Sequence, residues 1–221
     1  MPEVILPVLD EAEAIPRVLK AMPDGFHPIV VDNGSTDGSA DIAADLGATV
    51  VEEEARGFGS ACYAGLLAAT DDVVCFMDCD GSLDPNDLIR MNEAFEAGAD
   101  LVIGNRQPGR GAWPPHARLA NRILVMELRR RTGHSFGDLG PMRVVGREDL
   151  LALGMEDRRS GWPLEMVIKA AAAGWNIVEL PVPLGGRSGK SKVTGTVRGT
   201  LQAIRDMSRQ LREIEDGRPG A

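Results

Sequence analysis

The stretch Asp72-Val73-Val74-Cys75-Phe76-Met77-Asp78-Cys79-Asp80-Gly81 opens on a continuous apolar run and closes on two carboxylates and a glycine. A run this short, apolar at every position, predicts a strand over Asp72–Asp78 that is buried on both faces. The same pattern recurs on either side of it. Val4–Val8, Pro28–Asp32, Ala48–Glu52 and Leu101–Gly104 read as further strands. Between them, Asp10–Ala21, Ser39–Leu46, Ser60–Ala69 and Pro85–Ala97 carry helical spacing, the last started by Asp84-Pro85. Strict alternation of strand and helix predicts an α/β fold, a mainly parallel sheet with helices on both faces. Ligands of such sheets lie beyond the C-terminal ends of the strands. The segments to inspect are therefore Pro7–Glu11, Asp32–Gly38, Arg56–Ser60 and Asp78–Ser82.

The second half is less regular. Gln107–Pro115 is rich in Gly and Pro and reads as a loop, and Arg118–Arg131 as a basic helix. Leu164–Ala173 reads as a helix, Ile177–Val182 as a strand and Gly185–Gly195 as a basic Gly/Ser loop. Val197–Ile214 predicts a long amphipathic helix bearing Arg198, Arg205, Arg209 and Arg212, which suits packing on its own domain or lying on an anionic membrane surface. Residues 1–104 hold 4 Lys/Arg and 21 Asp/Glu, a formal −17, while residues 105–221 are formally +8. The basic half predicts contact with a phosphate, a diphosphate or an acidic lipid surface, and the acidic half argues against a nucleic-acid binder. No apolar run approaches the ~18 residues of a membrane span, and Met1-Pro2-Glu3 opens no secretory signal. With three cysteines and no disulfide framework, a cytoplasmic protein is expected.

Asp78 and Asp80, one residue apart at a strand end, can approach a hard divalent cation together and leave positions open for phosphate oxygens, which suits Mg²⁺ or Mn²⁺. Asp32 closes its strand and could accept from a base or a ribose hydroxyl. The residues that follow it, Asn33–Ser39, also read as helix caps. Two phosphate-loop likenesses fail. Gly57-Phe58-Gly59-Ser60-Ala61-Cys62 lacks the third glycine of a dinucleotide fingerprint and follows the third strand. GGRSGKS (185–191) lacks the first glycine of a nucleotide-triphosphate loop, where Leu184 stands. His27, His116 and His134 are not at ligand spacing, and Cys75 and Cys79 read as buried thiols.

Five motifs occur in order: Leu6–Glu11, VDNGSTDGS (31–39), RGFGSA (56–61), FMDCDGS (76–82) and RSGKSKVTGT (187–196). Together they resemble family 2 glycosyltransferases of the GT-A fold, especially the dolichol- and polyprenyl-phosphate mannosyltransferases and their bacterial relatives. The resemblance implies one continuous GT-A domain with a nucleotide-sugar-binding half (1–104) and an acceptor-binding half (105–221). It places the donor on Pro7, Leu9, Glu11, Asp32, Gly57, Asp78, Arg187, Ser191 and Lys192. It places the metal on Asp78 and Asp80, and an acceptor phosphate on Arg106, Arg118 and Arg143. Asp138–Arg143 resembles the family's Asp-…-Gly-Phe-Arg segment, and Trp162–Met166 its aromatic-x-x-Glu-Met helix. Relatives often carry Gln or His two positions after the second aspartate, where Ser82 stands here, and many carry C-terminal membrane helices.

The reaction implied is inverting transfer of a hexose from a nucleotide diphosphate sugar, UDP-glucose or GDP-mannose in type. A metal on Asp80, with Arg187 and Lys192, would offset charge on the departing diphosphate. A phosphate monoester acceptor, such as a polyprenyl phosphate, is substantially ionised at neutral pH and needs no base. A hydroxyl acceptor needs one, and Asp138 and Glu165 are the carboxylates nominated for it. A nucleotidyltransferase would need a basic glycine-rich loop after the first strand, where Leu9-Asp10-Glu11-Ala12-Glu13 is acidic. A non-catalytic nucleotide-sugar-binding partner of a membrane protein, or a homo-oligomer, stays open.

Overall fold

The computed structural model describes residues 1–108, 125–126, 128–130, 133 and 135–186. The strands are β1 (Glu3–Val8), β2 (His27–Asp32), β3 (Thr49–Glu52), β4 (Val73–Phe76), β5 (Leu101–Pro108), β6 (Arg143–Gly146) and β7 (Ile177–Leu184). They form one sheet in the order β3-β2-β1-β4-β6-β5-β7. All neighbours pair in parallel except β6, which runs antiparallel to both β4 and β5. The sheet is mainly parallel, as expected, with one reversed strand, β6, in its interior. Neither β6 nor the helix that follows it, Arg147–Ala152, was expected from the sequence.

The helices among the described residues are α1 (Ile15–Lys20), α2 (Ser39–Asp45), α3 (Phe58–Ala68), α4 (Asp87–Glu96), α5 (Arg147–Ala152) and α6 (Trp162–Ala172). Strand side chains alternate between two cores. Ile5, Ile29, Val31, Phe76 and Val145 pack with Leu66 of α3 and Trp162 and Val167 of α6. Val4, Leu6, Val30, Val102 and Val144 pack with Val18 of α1 and Leu88 and Met91 of α4. Each such aliphatic side chain contributes about 1.5–3 kcal/mol by leaving water, which is why the central strands carry no polar face. Gly65 lets α3 lie directly on β1, because a methyl there would strike Ile5.

Two elements depart instructively from their expected bounds. The first helix starts at Ile15 and not Asp10, and residues 10–14 form a turn. β5 extends to Pro108 because β7 continues to pair with it from Gly104↔Leu180 to Pro108↔Leu184. Cys62, Cys75 and Cys79 are buried free thiols. No helix among the described residues is long and apolar enough to cross a membrane. The expected Val197–Ile214 helix lies outside the described residues.

Candidate active site

The C-terminal ends of β1, β2 and β4 lie side by side, and the loops leaving them are tied together. Asp10 holds a left-handed backbone (φ 51°), the one non-glycine among the described residues to do so. That conformation costs of order 1–3 kcal/mol and persists only where its surroundings enforce it. Here the enforcement is visible. Asp10 N–H donates to Ser35 Oγ at 2.9 Å, and Thr36 N–H donates to Asp10 Oδ1 at 2.7 Å. Glu11 N–H donates to Ser39 Oγ at 2.9 Å, and Ala12 N–H to Asp37 Oδ2 at 3.0 Å. The Ser, Thr and Asp residues expected as helix caps chiefly fasten the β1 loop to the β2 loop; Asp37 also takes Ser39 N–H at 3.1 Å, at the start of α2.

Asp32, at the end of β2, is buried and accepts Ser35 N–H at 3.1 Å. Its neighbour Asn33, which reads from the sequence only as a cap, ties the β2 loop to the 53–57 stretch between β3 and α3. Its amide donates to the carbonyls of Glu53 and Ala55, both at 2.8 Å, and its oxygen accepts Gly57 N–H at 2.8 Å. Gly57 and Gly59 lie against the carbonyls of Arg158 and Asp157, where a methyl group would clash. Gly59 N–H and Ser60 N–H, orphan donors of the first turn of α3, are taken by Arg159 O and Arg158 O at 2.9 Å. The two glycines thus serve a helix–loop contact.

The β4 strand ends at Phe76 and leads into the Asp78–Ser82 turn. Asp80 is 6% exposed, and its Oδ1 accepts Ser82 N–H at 2.8 Å. Arg17 of α1, unremarked in the sequence, donates through Nη2 to Gly81 O at 2.8 Å. Burial, and then the charges of Glu11, Asp80 and Asp78, push the Cys79 thiol far up. Gly185 N–H donates to Ser82 O at 2.8 Å. The basic Gly/Ser loop therefore leaves β7 directly beside the Asp78–Asp80 turn. Arg187, Ser191 and Lys192 on that loop lie outside the described residues, as does Arg118.

Arg106, near the end of β5, lies at the same end of the sheet as this acidic turn, since Phe76 and Ile103 both pair with Arg143. Its Nε and Nη2 donate to Asp138 Oδ2 and Oδ1 at 2.6 and 2.9 Å, and its own N–H donates to Oδ2 at 3.1 Å. Burial alone would lower its pKa; the Asp138 bond, then Asp78 and Asp80, raise it above the ordinary value. The guanidinium thus feels both aspartates of the turn.

A family model described as glycosyl transferase family 2 matches residues 3–153. The chain belongs to glycosyl transferase family 2. An uncharacterised glycosyltransferase of Mycobacterium tuberculosis (strain H37Rv) is 50% identical over 205 residues, 92% of this chain and 94% of the relative. The undecaprenyl-phosphate mannosyltransferase of Micrococcus luteus is 31% identical, covering 88% of each chain. The polyprenol monophosphomannose synthase of Mycolicibacterium smegmatis is 30% identical over 87% of this chain and 81% of its own. Among solved structures, glucosyl-3-phosphoglycerate synthase of M. tuberculosis, in complex with Mn²⁺, UDP and glucosyl-3-phosphoglycerate, matches with a TM-score of 0.77 at 22% identity. It covers all of this chain and 81% of its own, a likeness of fold. The fold is GT-A.

Within this glycosyltransferase, two residues nominated from sequence take up other work. Arg143, expected on the acceptor, is 1% exposed on β6. Its Nε donates to Gly140 O at 3.0 Å and its Nη1 to Pro163 O at 2.7 Å. Burial pulls its pKa to about 10, so it stays charged beneath the site without reaching its surface. Glu165, nominated as a base, is 3% exposed. Its oxygens accept Glu156 N–H at 2.9 Å and Asp157 N–H at 2.8 Å, and Lys169 Nζ lies at 2.8 Å. A carboxylate so engaged holds the 155–161 loop that caps α3. Pro7, Leu9, Glu11 and Asp78 remain half-buried at the strand ends where they were expected.

Proposed function

We propose that this chain transfers a hexose, with inversion, from a nucleotide diphosphate sugar to the phosphate of a polyprenyl phosphate. One observation carries the reading. The acidic Asp78–Ser82 turn, the root of the basic loop at Gly185, which is bonded to Ser82, and Arg106 lie together where β4, β7 and β5 end. Opposed acidic and basic groups are what a donor diphosphate with its cation, and an anionic acceptor, require.

The donor set offered by Asp78 and Asp80 is oxygen only, on a turn fixed by Ser82 N–H and Arg17. Among the described residues no three His, Cys, Asp or Glu side chains form a closed cage. An open pair of carboxylates that shares its ion with phosphate oxygens fits Mg²⁺ or Mn²⁺. When bound, the ion would neutralise charge developing on the diphosphate. Pro7, Leu9, Glu11, Asp32 and the loop at Gly57 hold the nucleoside side in this reading, and Arg187, Ser191 and Lys192 close over the diphosphate. The donor half is 1–104 and the acceptor half 105–221.

Arg106 and Arg118 bind the acceptor phosphate, with Arg106 held in orientation by Asp138. A phosphate oxygen then attacks the anomeric carbon without surrendering a proton, so the reaction needs no base. The bidentate Arg106 pair on Asp138 and the capped state of Glu165 favour this base-free route over a hydroxyl acceptor. Relatives named for undecaprenyl-phosphate and polyprenol-phosphate mannose transfer support the lipid acceptor. The basic residues of 197–214, where the sequence predicts an amphipathic helix, would add peripheral contact with the membrane. Arg106 would suit a soluble phosphorylated acceptor equally, so the acceptors are compared directly. UDP-glucose and GDP-mannose are supplied with Mn²⁺ to the purified chain, with undecaprenyl phosphate in detergent or with 3-phosphoglycerate. Labelled hexose is expected in the lipid fraction. Transfer to 3-phosphoglycerate alone moves the acceptor to a soluble phosphate, and the absence of both transfer and donor hydrolysis overturns the enzymatic reading.

A further inference from the structure

The segment 137–140 carries Asp138, and the sheet beneath it grips it at both ends. Ile103 of β5 pairs with Arg143 of β6 on one side and Glu179 of β7 on the other. Residues paired across neighbouring strands project from the same face. One row of the sheet thus sends up a cation and an anion, with a buried isoleucine between them. The Glu179 carboxylate accepts Gly137 N–H at 3.1 and 2.9 Å and Asp138 N–H at 3.4 Å. The Arg143 guanidinium donates to Gly140 O at 3.0 Å. The segment cannot slide toward β5, because Gly137 lies against the Asn105 side chain and Gly140 against Gly104 O with no room for a methyl group. Asp138, between the two grips, offers both oxygens to Arg106.

We propose that Glu179 is a positioning residue: by holding the Gly137 and Asp138 amides it fixes the Asp138–Arg106 pair, and so the angle at which Arg106 meets the acceptor phosphate. The inference rests on the phosphate-acceptor reading above. Glu179 touches neither substrate. It acts through the backbone, and the bidentate fork of Arg106 makes the pair sensitive to small displacements of Asp138, since a planar guanidinium tolerates little misalignment. Arg143 secures the other end, but its burial makes any change there a folding problem as well. Glu179 is half-buried and can be changed without opening the core.

The test uses the full chain with Glu179→Leu, which removes both acceptors, and Glu179→Gln, which keeps one. Two measurements are made. Hydrogen exchange at the Gly137 and Asp138 amides needs no substrate, and Glu179→Leu should speed it about tenfold or more, with Glu179→Gln intermediate. Steady-state transfer is then read with undecaprenyl phosphate as acceptor and GDP-mannose or UDP-glucose as donor. Glu179→Leu should raise the acceptor KM about tenfold with donor KM unchanged, and should add little in an Arg106→Lys background, because both changes then act on one contact. Unchanged exchange at both amides overturns the inference whatever the activity. So does an acceptor KM that stays at the wild-type value, or a loss as large with Arg106→Lys as without it. A wild-type chain that transfers to no acceptor refutes the reading of function, and the exchange measurement still decides whether Glu179 holds the segment.

Discussion

Glu165, nominated as a base, is engaged on all sides by its own surroundings. Its two oxygens hold the amides of Glu156 and Asp157, and Lys169 neutralises it at 2.8 Å. Glu165→Gln retains one acceptor and loses the ion pair. It should cost about 1–3 kcal/mol of stability in a denaturant titration, while turnover per folded molecule keeps its wild-type pH profile. A folded variant whose activity returns only at raised pH would restore the base role. Glu179 makes a different prediction. Burial lifts its pKa above the ordinary carboxylate value, against the opposing pull of the Gly137 and Asp138 amides, and the Asp138 charge adds to the rise. A folded-state value above the unfolded one favours folding while the group is protonated. That contribution is complete below the unfolded pKa and is lost as pH rises through the folded pKa. The melting temperature of Glu179→Gln relative to wild type should therefore increase as pH is raised from about 4 toward neutrality. A difference that is flat or falls over this range contradicts the assignment.

At the scale of elements, α3 depends on a loop far away in sequence. Arg158 O and Arg159 O cap its first turn, and glycine at 57 and 59 leaves room for the carbonyls of Arg158 and Asp157. Gly59→Ala forces a methyl into Asp157 O and should destabilise the fold by about 1–3 kcal/mol, with raised proteolytic sensitivity in 155–161. An unaltered melt would mean the contact is dispensable. β1, β2, β4 and the start of β5 were legible because each is an apolar run that ends up buried, while β3 and β7 were legible from the run alone, since they stay largely half-buried or exposed. β6 was not, since Arg143-Val144-Val145-Gly146 is four residues long, begins on a cation and is defined by partners 67 to 73 and 40 to 44 positions away. The same blindness hid Arg143: a charged residue reads as a surface group unless the pairing that buries it is known. The position of the Asp78–Ser82 turn was readable because the apolar run of β4 stops there at carboxylates and a glycine. Asn33, Arg17 and Glu179 were not, because each acts on the backbone of a segment remote in sequence and leaves no local signature.

Over the whole molecule, charge is divided between two halves of opposite sign, −17 in residues 1–104 and +8 in residues 105–221. The halves meet where β4, β5 and β7 end, with Gly185 bonded to Ser82. A ligand that bridges them, a nucleoside diphosphate with its cation, should stabilise the chain more than either component alone, because binding to the native state raises its stability by mass action. The decisive measurement is the thermal unfolding of wild type and Asp80→Asn with UDP or GDP, each with and without Mn²⁺. At about 100 times the dissociation constant the gain is about 2.7 kcal/mol, or roughly 5–10 °C for a chain of this size. Wild type should show this shift with one nucleotide and Mn²⁺ together, and Asp80→Asn should lose the part that depends on Mn²⁺. A shift that is the same without Mn²⁺, or that survives intact in Asp80→Asn, would contradict the placing of the cation and the diphosphate at the end of β4.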